Sequence, residues 1–262
     1  MATKKKSTPW EKEWAALKKR EKAYLSKHME HKSPKLNQLL EGKVPPKLQD
    51  TLNAAFVKSF ALIFEKGTPL LARTIPAAEI SRQYQENRFS AQLRRDRKSL
   101  QAFSRRSGKA EAINLTLSGV EGVVLGALGV GIPDIPVFTA MMLRSLYEMA
   151  GHFGFPCDSP REQYFQLLLI QGAFSYGEEL LSCDRELNRF MEAPVLPDGF
   201  DRSAQITKAA QPLSQQLLYM KFLQGIPVVG AAGGAYDVVC LHRVQRYAKL
   251  KYQRRLLLEH KP

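Results

Sequence analysis

Cysteine is scarce in this 262-residue chain: the three residues, Cys157, Cys183 and Cys240, are odd in number and widely spaced. No C-x-x-C pair occurs, so the sequence carries neither a disulfide framework nor a zinc box, and a reducing compartment is the expected setting. The start has no apolar run. Lys4, Lys5 and Lys6 lead into Trp10, Glu11, Lys12 and Glu13, unlike a secretory signal. Acid is short as well: 39 lysines and arginines stand against 25 aspartates and glutamates, a formal net charge of +14. That balance favours an anionic partner such as nucleic acid, an acidic protein or the anionic face of a membrane.

Catalytic signatures are missing too. No P-loop and no G-x-S-x-G elbow is present. The glycines of Gly126-Ala-Leu-Gly129-Val-Gly131 miss the dinucleotide spacing, and no strand-like run precedes them. His28 and His31 stand three apart, without a carboxylate or cysteine at ligand spacing, so surface histidines are the simpler reading. Cys240 and His242 point to different sides of a helix. Cys157 and Cys183 neighbour Asp158 and Asp184, which hold a thiol protonated and do not activate it. We therefore assign no catalytic residue, no metal ligand and no cofactor, and favour a non-enzyme.

What is present is helical periodicity. Trp10, Trp14, Leu17 and Leu25 mark an interrupted stripe on a charged first helix. Leu48, Leu52, Phe56, Phe60 and Phe64 recur every four residues up to Gly67. Phe138, Met142, Leu146, Met149 and Phe153 form one face, and Ser159-Pro160-Arg161-Glu162 predicts a capping box opening a strongly apolar helix. Pro194, Pro197, Asp198 and Gly199 predict a loop. Little reads as strand. The expected fold is all-α: a single compact multi-helix domain over residues 44–262, preceded by a basic N-terminal extension, residues 1–43.

Two glycine-rich, nearly uncharged segments surround the Gly-Ile-Pro triplets at Gly131 and Gly225. Each has a G-x-x-x-G spacing, Gly122 with Gly126 and Gly230 with Gly234, which suits close helix packing. Glu121, Gln224, Pro227, Asp237 and the glycines themselves make either segment a poor spanning helix. Asp134 is expected to cap the helix that follows it. Asp134 and Asp237 both lie in apolar surroundings, where an acid needs a partner, and Arg144 or Arg243 is the candidate partner for a buried polar site. Residues 82–109 carry nine basic residues against Glu86 and Asp96 alone, interleaved with Tyr84, Phe89, Leu93, Leu100 and Phe103. This amphipathic pattern makes Arg94, Arg95, Arg105, Arg106 and Lys109 candidates for contacting an anionic surface. A second basic run, from Arg243 to Arg255, follows the second glycine segment and reads most simply as a solvated helix face.

These segments also carry a resemblance. LSGVEGVVLGALGVGIPDIPVFTAMMLRSLYEMAGHFG (residues 117–154), SPREQYFQLLLIQGA (159–173) and GIPVVGAAGGAYDVVCLHRVQRYA (225–248) resemble the EcsC family of bacterial proteins. Asp134-Ile135-Pro136, followed by a helix ending in Phe153-Gly154, is the most specific part; the family more often has Tyr-Gly there. The similarity extends over residues 44–258. The resemblance implies a bacterial helical protein, named for a gene beside those of a transporter linked to secretion, and it defines no catalytic residues. The leading expectation is a cytoplasmic, non-enzymatic protein held peripherally at the inner membrane face or on a membrane complex. A soluble enzyme or small-ligand binder with a pocket near Asp134 and Asp237 comes second. A nucleic-acid-binding protein comes third, because no recognised nucleic-acid motif accompanies the charge.

Overall fold

In the computed structural model, residues 7–30, 42–110, 134–224 and 233–261 are described, and they form helices joined by short turns. Among these residues no strand occurs, as the periodicity predicts. Helix α1 (Pro9–Lys27) opens on a reciprocal cap. Thr8 Oγ1 accepts from the Glu11 N–H at 3.1 Å and the Thr8 N–H donates to Glu11 Oε2 at 2.8 Å.

Helix α2 (Pro46–Leu62) passes into a π turn at Ile63–Gly67 and then into α3 (Thr68–Arg73). A spacing of four overshoots the roughly 3.6-residue turn of an α-helix. The drift over two such steps is small enough that Phe56, Phe60 and Phe64 all stay buried, and the π turn begins only at Ile63. Helices α4 (Ala77–Arg94) and α5 (Arg97–Ala110) follow, joined by a corner in which Arg95 adopts the left-handed conformation, φ 48°.

Helices α6 (Asp134–His152) and α7 (Pro160–Phe174) form the centre. Between Tyr164 and Phe174 only Gln171 of α7 escapes burial, the pattern of a helix surrounded on all sides. Helix α8 (Gly177–Glu192), helix α9 (Arg202–Gln224) and the long C-terminal helix α10 (Gly233–Glu259) complete the fold. Helix α10 touches α1, α5, α6, α7, α8 and α9. Trp10 Nε1 donates to the Leu257 carbonyl at 2.8 Å, and Gln253 Nε2 to the Leu100 carbonyl at 3.1 Å, tying both ends of the chain and α5 together. Leu17 and Tyr24 of α1 lie in the same hydrophobic core as α6, α7 and α10.

Two glycines permit this closeness. Gly154 follows α6 at φ 83°, and a Cβ there would lie 2.2 Å from Tyr84 Cζ, so both backbone and neighbour demand glycine. This is the glycine of the Phe153-Gly154 pair. Gly172 of α7 lets Tyr247 of α10 approach to where a Cβ would be 2.8 Å from its ring. Of the predicted packing glycines, Gly122, Gly126 and Gly230 lie outside the described residues. Gly234 falls in the first turn of α10.

Candidate functional site

The charged residues divide into two regions. At the corner between α4 and α5, Ile80, Asn87 and Ala91 turn inward. Tyr84 meets Phe103 edge-on at 5.9 Å. The outward face holds Phe89 and Leu93, 67 % and 70 % exposed and one helical turn apart. Arg94, Arg95 and Lys98 stand exposed beside them, with no ion pair among the described residues. The nearby acid Asp96 is already used: it caps α5 by accepting from the Ser99 N–H at 2.7 Å. That bond, and then the cations Arg94 and Lys98, hold its carboxyl below the usual range. The apolar residues interleaved in this run thus split, with Tyr84, Leu100 and Phe103 facing the core and Phe89 and Leu93 facing water.

The second region lies along α1, α5, α7, α8 and α10, where charges are buried in pairs. Glu13, 1 % exposed, accepts from Arg20 at 2.7 Å, from Arg97 at 2.8 Å and from Gln101 at 2.7 Å. Lys251, also 1 % exposed, bridges Asp184 at 2.7 Å and Glu21 at 3.1 Å and donates to Asn188 at 3.1 Å. Arg254 joins Glu21 at 2.7 Å, and the Tyr247 hydroxyl donates to Asp184 at 2.8 Å. Glu162 accepts from Tyr252 at 2.5 Å and Arg255 at 2.6 Å, while burial pushes its pKa up against the pull of Arg255.

This arrangement corrects two sequence expectations. The basic run of α10 is not simply a solvated face: Lys251, Arg254 and Arg255 turn inward, because carboxylates from distant helices meet them there. The predicted capping box at α7 is only half made. Ser159 Oγ accepts from the Glu162 N–H at 3.2 Å, but the Glu162 carboxylate leaves the cap for the buried pair with Tyr252 and Arg255.

A polar cleft of about 210 Å³ lies between α7, α8 and α9, with Gln171, Ser175, Cys183, Glu186, Lys208 and Gln211 among its lining residues. Cys183 donates to the Leu168 carbonyl at 3.2 Å. Burial, followed by Glu186 and Asp184, drives its pKa upward, so the thiol stays protonated. The half-buried Cys157 is shifted up likewise, by burial and then by Asp158. Glu186 is held by the Tyr164 hydroxyl. Among the described residues no group of three histidine, cysteine or acidic side chains is placed to hold a metal ion.

The remaining predicted positions are distributed as follows. Helix α6 begins at Asp134, and Asp237 falls within α10; the side chains of both lie outside the described residues, as do those of Arg106 and Lys109 on α5. Arg144 is occupied by Thr74, whose hydroxyl and carbonyl it reaches at 3.1 and 3.0 Å, and by Glu148 at 3.5 Å. Arg105 is exposed and donates to Gln101 at 2.9 Å. Sequence reasoning did not find Glu13, Glu21, Glu162 or Lys251. Their signal, a charged residue on an otherwise apolar helical face, is visible only once the partner helix is known.

The model of the EcsC protein family matches residues 11–257. The chain belongs to the EcsC family. The match runs from the first turn of α1 to the last turn of α10, so both charged regions fall within the EcsC-family part. No curated protein and no solved structure matches the chain. Among the described residues, no helix of this EcsC-family chain is long and apolar enough to cross a membrane.

Proposed function

We propose that this EcsC-family chain is a non-enzymatic helical protein that docks peripherally on an anionic membrane surface through the α4–α5 corner. On this reading it works at the cytoplasmic face of the cell membrane as an accessory to a transport or secretion complex. The observation that carries the reading is the exposed pair Phe89 and Leu93 beside the exposed cations Arg94, Arg95 and Lys98, which have no ion pair among the described residues. A basic surface near anionic lipid gains about 1 kcal/mol per cation. An apolar side chain fully removed from water adds about 1.5–3 kcal/mol. Three cations and two anchors therefore give reversible binding without a spanning helix.

The test is co-sedimentation with phosphatidylglycerol-containing and pure phosphatidylcholine vesicles. The reading predicts pelleting with the anionic vesicles only, release by salt, and loss of binding in the Phe89→Ser/Leu93→Ser double variant. Equal behaviour of the variant and the native chain, or no pelleting at all, contradicts it.

A further inference from the structure

Arg243 differs from the other inward-facing cations of α10. Lys251, Arg254 and Arg255 each meet a carboxylate, whereas Arg243 meets none among the described residues. Its partners are neutral. Nη1 donates to the Tyr176 hydroxyl and to Gln216 Oε1 at 3.2 Å, and Nη2 donates to the Ser175 carbonyl at 3.3 Å. The guanidinium lies 4.3 Å from the Tyr176 ring centre and 5.7 Å from that of Phe174.

A guanidinium has five N–H donors, and three are used here. Nε is buried and makes no hydrogen bond, so it and the second Nη2 hydrogen remain. Nε and the Nη on the same edge of a guanidinium are the pair that receives a carboxylate or phosphate through parallel hydrogen bonds. Tyr24, 3 % exposed, lies beside Arg243: the charge and the side-chain donors of Arg243 both act on its hydroxyl, although the contact falls short of full hydrogen-bond geometry. The surrounding charge is positive: Arg243, Lys27 and Arg246 all act on the half-buried His28, whose ring lies tilted 4.2 Å from that of Tyr24. A part-buried cation without a counter-charge, with open donors beside it, is costly unless something anionic completes it.

We propose that Arg243, with the Tyr24 hydroxyl beside it, binds the oxyanion of a small phosphate- or carboxylate-bearing ligand. His28, which holds the Tyr24 carbonyl at 2.7 Å through Nδ1, edges the site on its half-buried side. The site uses none of the residues of the α4–α5 corner, so it and the membrane reading can fail separately.

The experiment measures thermal unfolding of the full chain at constant ionic strength, with inorganic phosphate, glycerol 3-phosphate or acetate replacing chloride. The proposal predicts a saturable rise in melting temperature. It also predicts at least tenfold weaker dependence in Arg243→Lys, which keeps the charge and loses the fork, and a smaller weakening in Tyr24→Phe. A preference for glycerol 3-phosphate over inorganic phosphate assigns the source to a lipid headgroup, equal response to both assigns free phosphate, and a response to acetate alone assigns a carboxylate. No saturable rise with any of the three, or a rise unchanged in both variants, overturns the proposal. If Arg243→Lys does not fold, Tyr24→Phe together with the NMR titration of His28 decides. A bound anion raises the His28 pKa in the native chain, and an unmoved pKa overturns the site.

Discussion

The α4–α5 corner and the C-terminal part of α10 carry the same kind of sequence, basic residues interleaved with apolar ones, and use it in opposite ways. On α10, Lys251, Arg254 and Arg255 reach inward to Glu21, Asp184 and Glu162. At the corner, Arg94, Arg95 and Lys98 reach water, and the adjacent acid Asp96 is spent on a helix cap. Arg97 sits between the two cases. It belongs to the corner by sequence but turns to Glu13 of α1. For these cations the direction is set by whether a neighbouring helix offers a carboxylate and not by the local count of charge; Arg243, turned inward to neutral partners, is the exception.

The strongest way to break the comparison is to remove the central cation of the buried region. Lys251→Met leaves Glu21 and Asp184 with less counter-charge in a place water does not reach, and should cost about 3–5 kcal/mol. Urea unfolding followed by circular dichroism reads this; a cost below about 1 kcal/mol would mean the pairing is not needed.

A second test uses pH. Burial raises the Glu162 pKa above its ordinary value, so the folded chain binds that proton more tightly than the unfolded chain. Its contribution is fully present below the ordinary glutamate pKa and is lost as pH rises through the raised value. Glu162→Gln should flatten this part of the stability profile, measured by urea unfolding across a pH series. A profile that keeps its slope in the variant assigns the dependence to another group.

The smallest stability effect belongs to the corner. Arg94→Gln/Arg95→Gln/Lys98→Gln should change unfolding free energy by no more than about 0.5 kcal/mol per site. The same triple variant should lose most of its salt-sensitive binding to anionic vesicles. A large loss of stability there would place these cations in the buried network.

The helical character was legible because each helix shows its face locally, through spacings of three and four such as Phe138, Met142, Leu146, Met149 and Phe153. The start at Ser159-Pro160 was equally a local matter of capping. The fate of Glu162 was not. Its position invited a capping box, but the winning partners, Tyr252 and Arg255, lie 90 and 93 residues away. The same holds for Glu21 and Lys251, 230 residues apart. Nothing in the local sequence at Gly172 announces the Tyr247 ring that packs against it. At the corner, the left-handed residue Arg95 redirects the chain, so that the stripe of α4 and that of α5 do not share one face, and Phe89 and Leu93 fall outside the core.

The central claim, that the corner and not α10 meets the membrane, is tested most directly by an environment-sensitive fluorophore. It would be attached at Leu93→Cys or at Val239→Cys, an exposed apolar position of α10, in a Cys157→Ser background. With anionic vesicles, the probe at position 93 should shift to shorter wavelength and the probe at position 239 should not. A shift at 239 alone, or at neither position, would contradict the account.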